Sequence, residues 1–182
     1  MTLRFVLLLN MSLEAFTTRV LPVKDKLFRY AYRLLKSEVE AQDVVQETMI
    51  RVWNKRDEMH TYLNMEAWCM RITRNLSLDK LKSKHKRTQV FPDGFDVSSN
   101  GQSPYSTTET DDTMLAIHQF IEQLPQKQRE VIQLRDIEGF SYKEIAEILG
   151  IEANSVKVNL FRARKAVREN LLMINAYGLE KS

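Results

Sequence analysis

The run that most restricts what this chain can fold into lies in its last third: Ser141-Tyr-Lys-Glu-Ile-Ala-Glu-Ile-Leu-Gly150-Ile-Glu-Ala-Asn-Ser-Val-Lys157-Val-Asn-Leu-Phe161-Arg-Ala-Arg164-Lys165. Ser141 and Glu144 form a capping box, in which each side chain answers an orphan backbone donor, so a helix starts at Tyr142. Ile145, Ala146 and Leu149 recur at helical spacing and give that helix one apolar face, and Gly150 supplies the left-handed residue that stops it. Ile151 plugs the turn. A second helix follows, with Val156, Leu160, Ala163 and Val167 as its apolar stripe. Asn154, Ser155, Lys157, Val158, Phe161, Arg162 and Arg164 are left for its outer surfaces. A short apolar helix, a glycine turn and a basic helix form the unit that docks in a DNA major groove. The first turns of the second helix lie nearest the base edges, and Arg162, Arg164 and Lys165 are placed for phosphates. The plainer alternative is a basic solvated helix packed on its neighbours. Leu124-Pro125 opens a preceding helix from Gln126 to about Ile137, whose Val131, Ile132 and Leu134 can bury against the pair and which Gly139 ends.

Composition excludes several classes. With 43% hydrophobic residues over 182 positions the chain can build one or two small cores. A single cysteine, Cys69, rules out a disulfide framework and a thiolate metal cluster and points to a reducing compartment. His60, His85 and His118 lack ligand spacing, so no metal is expected. No Gly-rich phosphate loop or nucleophile with a base marks an enzyme, a cofactor or a small-molecule substrate. The apolar run Phe5 to Leu9 is too short for a signal peptide and no cleavage site follows, so cytoplasmic residence is expected. Residues 1–10 read equally as a short strand, a disordered tail or an upstream start codon, and nothing approaches a membrane span.

The formal charge of +3 is unevenly spread. Residues 1–87 carry 17 Lys and Arg against 10 Asp and Glu, residues 88–113 none against 5, and residues 114–182 10 against 9. From Gln89 to Thr108 the chain lacks periodicity and is rich in breakers, which marks a linker. The expectation is an all-α protein: two small helical domains, at residues 11–87 and 114–177, joined by a flexible acidic linker at 88–113.

In the first block, Leu13, Phe16 and Val20 open an amphipathic stretch interrupted at Pro22, and Leu27, Tyr30, Ala31, Leu34 and Leu35 continue it. Ser37 with Glu40 reads as a second capping box, so a new helix begins near Glu38 with Ala41, Val44, Val45, Thr48 and Val52 facing the core. Its opposite face carries Asp43, Gln46, Glu47, Ile50 and Trp53. An exposed Ile and Trp beside carboxylates fits a protein-binding surface; the alternative is that Trp53 folds back onto its own domain. A third helix spans about Met65 to Lys84 with Trp68, Ile72, Leu76 and Leu81 inward, and its outer side and tail carry Arg71, Arg74, Lys80, Lys82, Lys84, Lys86 and Arg87. Such cation density favours a phosphate backbone over a merely solvated face. The preceding loop, His60-Thr-Tyr62-Leu-Asn64, offers an aromatic and polar side chains to unpaired bases.

Taken together, Leu27-Phe-Arg-Tyr-Ala-Tyr-Arg-Leu-Leu35, Ala41-Gln-Asp-Val-Val-Gln-Glu-Thr-Met-Ile-Arg-Val-Trp53 and Ala67-Trp-Cys-Met-Arg-Ile-Thr-Arg-Asn75-Leu-Ser-Leu-Asp79 resemble region 2 of bacterial RNA polymerase sigma factors of the sigma-70 type. Leu124 through Arg164 resembles their region 4, and the compact pairing resembles the extracytoplasmic-function group. The resemblance implies that Asp43, Gln46, Glu47, Ile50 and Trp53 lie against the clamp helices of the polymerase's largest subunit, with the flap of the second-largest subunit as a further contact. It implies that Tyr62, Asn64, Arg71, Arg74 and Asn75 engage the minus-ten element as it opens. Arg135, Tyr142, Lys143, Asn154, Ser155, Lys157, Val158, Phe161, Arg162 and Arg164 would hold the minus-thirty-five element as duplex. An anti-sigma factor, often membrane-anchored in this group, is a further implied partner, and the linker's negative charge implies a strand mimic in a basic polymerase channel. One departure is Glu152, which stands where relatives often cap the recognition helix with Ser or Thr.

Spacing makes core polymerase necessary to this reading. Extended, the linker from Thr88 to Asp111 reaches roughly 80 Å, but relaxed it averages about 25–30 Å, well short of two turns of B-DNA. Free protein is therefore expected to bind a promoter poorly. The rival reading is a stand-alone dimeric helix-turn-helix regulator acting on a palindrome, with residues 11–87 as a sensing or dimerising module. A module that meets only acidic protein partners is a third.

Overall fold

A computed structural model describes residues 13–90 and 109–179, and within them all side chains except those of residues 60, 86–90, 109–113 and 174–179. The alternatives for residues 1–10, the strand-mimic reading of the linker and the side chains of Lys86 and Arg87 lie outside the described residues. Among those residues every regular element is helical, and the chain divides into two compact units, Met1–Gln102 and Ser103–Ser182.

In the first unit a helix (α1, residues 13–19) runs into a 3-10 turn at Leu21–Val23, where Pro22 sits among the first positions that need no amide donor. Then follow α2 (Lys24–Leu35), α3 (Glu38–Asn54) and α4 (Met65–Val90), with a 3-10 turn at Arg56–Thr61. α2 ends on Lys36 in the left-handed region, φ +54°. Ser37 then caps α3 by accepting the Glu40 amide at 3.4 Å. The Glu40 carboxylate lies 3.6 Å from Lys84 and does not return to the Ser37 amide, so only the Ser37 half of the expected capping box forms and Glu40 ties α3 to α4.

The three long helices pack mutually. Ala41, Val44, Val45, Thr48 and Val52 are all buried, as the α3 pattern requires. On α4 the expected stripe of Trp68, Ile72, Leu76 and Leu81 is half-buried, with Leu76 and Leu81 packed against Ala31, Leu35, Ala41 and Val44 as expected, and the fully enclosed positions are Cys69, Met70, Thr73 and Ser77. At Thr48 and Thr73, α3 and α4 approach closely. Small side chains let the backbones come together, and their hydroxyls remain satisfied. Thr48, Thr73 and Ser77 donate to the carbonyls four residues back, at 2.8, 3.0 and 2.8 Å, and the Thr48 and Thr73 hydroxyls lie 3.1 Å apart. A reading of apolar periodicity passes over such a seam.

The second unit consists of α5 (Glu109–Gln123), α6 (Gln126–Ile132), α7 (Tyr142–Leu149) and α8 (Ala153–Leu179). Helical structure thus continues past both limits, 88 and 113, that composition gives for the linker. α6 passes directly into a π turn, Gln133–Ile137, closed by the Glu138 amide on the Gln133 carbonyl at 3.0 Å. Gly139, at φ +82°, ends it. The Ser141–Glu144 capping box is complete in both directions, and Gly150 stops α7 at φ +66°. Ile145, Ile148 and Leu149 are the buried residues of α7, with Ala146 at the edge of the core instead of Ile148. Val156, Leu160, Ala163 and Val167 line the buried side of α8, which packs on α5, α6 and α7.

Candidate nucleic-acid interfaces

On α8 the buried stripe fixes what remains outside: Asn154, Ser155, Lys157, Val158, Phe161, Arg162 and Arg164 are all exposed. Val158 is 47% and Phe161 70% exposed, three residues apart and therefore neighbours on one face. An apolar pair among amide, hydroxyl and cationic side chains is equipped for thymine methyl groups as well as for base-edge donors and acceptors. Lys157 and Arg162 make no ion pair among the described residues.

Arg164 is different. It meets Asp136 in the π turn through two bonds, Nε to Oδ2 at 3.0 Å and Nη2 to Oδ1 at 2.6 Å. The Asp136 bond is the main cause that pushes the Arg164 pKa up, so the guanidinium stays charged. Arg135, next door, donates to the Phe140 carbonyl at 2.7 Å and lies 5.1 Å over the Tyr142 ring. Lys143 is exposed beside them. The turn at the α6 end thus arranges Arg135, Tyr142 and Arg164 around the start of α7.

In the first unit, α3 presents Asp43, Gln46 and Ile50 outward, with Glu47 half-buried. Ile50 is 54% exposed. The acids on this face already have partners: Lys80 donates to Asp43 at 3.1 Å and Arg51 to Glu47 at 2.7 Å. Trp53 is half-buried, edge-on to Phe16 with centroids 5.2 Å apart and planes at 83°, and Arg56 lies 5.0 Å over its ring. The indole is therefore braced against its own unit while one part stays open.

The loop before α4 is pinned on both sides. Tyr62 stacks on Trp68 with centroids 4.1 Å apart and planes 18° from parallel, and Arg19 Nη2 donates to the Tyr62 carbonyl at 3.4 Å. Asn64 Oδ1 accepts the Ala67 amide at 2.9 Å, so this side chain serves as the α4 cap. Between them Leu63 is 98% exposed, a residue that sequence reading passed over because nothing in a polar loop singles out one leucine. Arg71, Arg74 and Asn75 follow at spacings that share one side of α4, with Arg71 and Asn75 exposed and Arg74 half-buried. Further along, Lys80, Lys82 and Lys84 each lie within 4 Å of a carboxylate, on Asp43, Asp79 and Glu40 at 3.1, 3.9 and 3.6 Å. Beneath this surface Cys69 is enclosed: burial, and secondarily Glu66, pushes its thiol up to about 12.

Two family models match the chain: sigma-70 region 2 over residues 20–87 and sigma-70 region 4 over residues 114–167. Among similar proteins, the ECF RNA polymerase sigma factor SigW of Bacillus subtilis is 32% identical over 169 residues, covering 87% of this chain and 89% of that protein. The RNA polymerase sigma-H factor of Pseudomonas aeruginosa is 28% identical over 167 residues, covering 87% and 86%. Among solved structures, the sigma factor RpoE of Bartonella quintana, crystallised with the anti-sigma factor NepR, superposes with a TM-score of 0.70 at 28% identity, covering 87% of this chain and 97% of that one.

Proposed function

Because this chain belongs to the extracytoplasmic-function group of RNA polymerase sigma factors, which bind core polymerase and direct promoter-specific initiation, we propose how its two units divide that task. The first unit, residues 11–87, takes core polymerase and the minus-ten element; the second, residues 114–177, takes the minus-thirty-five element; residues 88–113 connect them. The observation that carries this division is the outward face of α8. All seven of its sequence-designated readers stand exposed there, opposite a fully apolar stripe.

α8 lies in the major groove of the upstream element. Asn154, Ser155, Lys157, Val158 and Phe161 meet base edges and methyl groups, while Arg135, Tyr142, Lys143, Arg162 and Arg164 meet phosphates. In the first unit the Tyr62–Asn64 loop, with Arg71, Arg74 and Asn75, receives minus-ten bases as they leave the stack. A pinned loop suits that role, because a flipped base needs a surface already in place. Asp43, Gln46, Glu47, Ile50 and Trp53 lie on the clamp helices of the largest subunit. A largely apolar groove of about 410 Å³ beside α5 and α8, lined by Met114, Ile121, Val167 and Leu171, receives the flap of the second-largest subunit; Asp136 and Arg164 also line it, so flap and duplex adjoin at that pair. Phosphoryl transfer belongs to the polymerase, and the role assigned here needs no metal or cofactor.

The chain works in the cytoplasm, where core polymerase is found; no described helix is long and apolar enough to cross a membrane. An anti-sigma factor is a partner of the free protein, as one is of the relative crystallised with it, and on this chain it would cover the polymerase-facing surface of α3. A stand-alone dimeric regulator has no support: the family matches extend over both units.

The test is reconstituted transcription with core polymerase on a genomic template library. Discrete promoter-specific starts that depend on this protein are the expected result, and their absence refutes the assignment. Reversing charge at Glu47 with Glu47→Lys should weaken binding to core polymerase about tenfold, or ~1.4 kcal/mol, while the full chain stays folded. Unchanged affinity removes Glu47 from the interface.

A further inference from the structure

The sequence singled out Arg164 and passed over the residue that holds it. Asp136 lies 28 positions away, in the π turn, and no local pattern links the two. Its carboxylate takes the side-on edge of the guanidinium, engaging Nε–H and one Nη2–H. A guanidinium has five N–H donors, so the end-on edge, made by Nη1 and the outer Nη2 hydrogen, stays available. That edge has the fork geometry that matches a phosphate. The pair is solvent-facing, with Arg164 and Asp136 side chains 48% and 34% exposed.

We propose that Asp136 is a positioning residue for promoter binding: it fixes Arg164 so that the end-on edge of its guanidinium meets a backbone phosphate of the upstream duplex beside Tyr142. This rests on the reading of α8 as the minus-thirty-five reader. The physical case is one of order. A long arginine on an exposed helix loses rotamer freedom on binding, a cost that a pre-formed bidentate pair removes in advance. Arg135 is likewise held, by the Phe140 carbonyl and the Tyr142 ring, so both arginines are fixed before DNA arrives. The raised pKa of Arg164 agrees with a guanidinium that stays charged within the pair.

The sign of the effect makes the proposal testable. Asp136→Asn removes a negative charge, and simple electrostatics then predicts tighter binding to a polyanion. Positioning predicts the reverse. Holoenzyme assembled from core polymerase and each full-length variant is titrated against a promoter duplex selected by the wild-type holoenzyme from a random library. Asp136→Asn should bind roughly three- to tenfold more weakly. Asp136→Glu should recover most of the loss, and in an Arg164→Ala background Asp136→Asn should have no further effect. Thermal unfolding of each variant separates lost positioning from lost structure. Equal or tighter binding by Asp136→Asn, beside a weakened Arg164→Ala, overturns the proposal alone. A loss that persists undiminished in the Arg164→Ala background also overturns it, since the carboxylate then acts through something other than Arg164. Wild-type affinity in Arg164→Ala overturns the phosphate assignment of Arg164 and this proposal with it.

Discussion

α4 and α8 are both long, basic helices, yet they hold their cations in different ways. On α4, Lys80 and Lys84 reach across to carboxylates on α3, and Lys82 pairs with Asp79 on its own helix. On α8, Lys165 pairs with Glu169 on its own helix at 3.7 Å, but Lys157 and Arg162 stand without an ion-pair partner among the described residues, and Arg164 is tied side-on with one edge left over. Paired lysines release few counterions when a phosphate arrives, because part of their charge is already balanced. The contrast implies a division of labour in which the second unit supplies salt-sensitive grip on the duplex. The first contributes a shaped surface, the stacked Tyr62–Trp68 pair and the pinned loop beside it.

The interiors differ as well, and the largest expected effect tests that difference. Cys69 sits in the first unit, with its thiol pushed up to about 12 by burial, and the second unit contains no cysteine. The folded state keeps that proton while the unfolded chain begins to lose it near 9. Stability from this group is therefore complete below about pH 9 and declines as pH rises toward 12, by up to ~1.4 kcal/mol per pH unit. Alkaline unfolding that tracks the first unit in the wild type, and is flattened in Cys69→Ala, is the expected outcome; identical pH profiles would remove Cys69 from the account.

Next in size is the α3–α4 seam. Thr73→Leu puts extra volume where Thr48 and Thr73 hydroxyls are 3.1 Å apart, so the first unit should lose about 1–3 kcal/mol in thermal or urea unfolding. A neutral result would mean that the helices are less closely packed there than the hydroxyl contacts imply. The smallest effect is a difference between two lysines. Lys157→Gln should lower holoenzyme affinity for promoter duplex and reduce the salt slope by about one, whereas Lys80→Gln should change the slope by clearly less. Equal slopes would erase the contrast between the helices.

These differences also explain how far the amino-acid order could be read. In the second unit, local rules and tertiary structure agree: the capping box, Gly150 and the Val156 to Val167 stripe each appear where spacing puts them. The outward residues of α8 follow by subtraction. In α4, apolar periodicity found Leu76 and Leu81, which pack against the α2 and α3 core, but it missed the fully enclosed Cys69, Met70, Thr73 and Ser77. Hydropathy assigns hydroxyls to the surface, and only the meeting of two helices shows that they are bonded within. The site has the same limit. Trp53 braced by Phe16 and Arg164 held by Asp136 depend on partners that no sequence window reveals, whereas Asn64 caps an amide three residues on and Arg56 lies three residues beyond Trp53. Glu152, in turn, contributes its carbonyl to the Val156 amide at 3.1 Å, so the backbone start of α8 is made whatever side chain stands there.

The wide turn at Gln133–Ile137 has a further consequence for how this chain tolerates insertion and deletion. A π turn accommodates one residue more than an α turn, and each residue advances a helix by about 100°. Deleting a single residue from this segment would restore ordinary register at the expense of swinging the next positions to another bearing, which would part the carboxylate of Asp136 from its arginine. Length at this point therefore sets the Asp136–Arg164 pair as well as side-chain identity does.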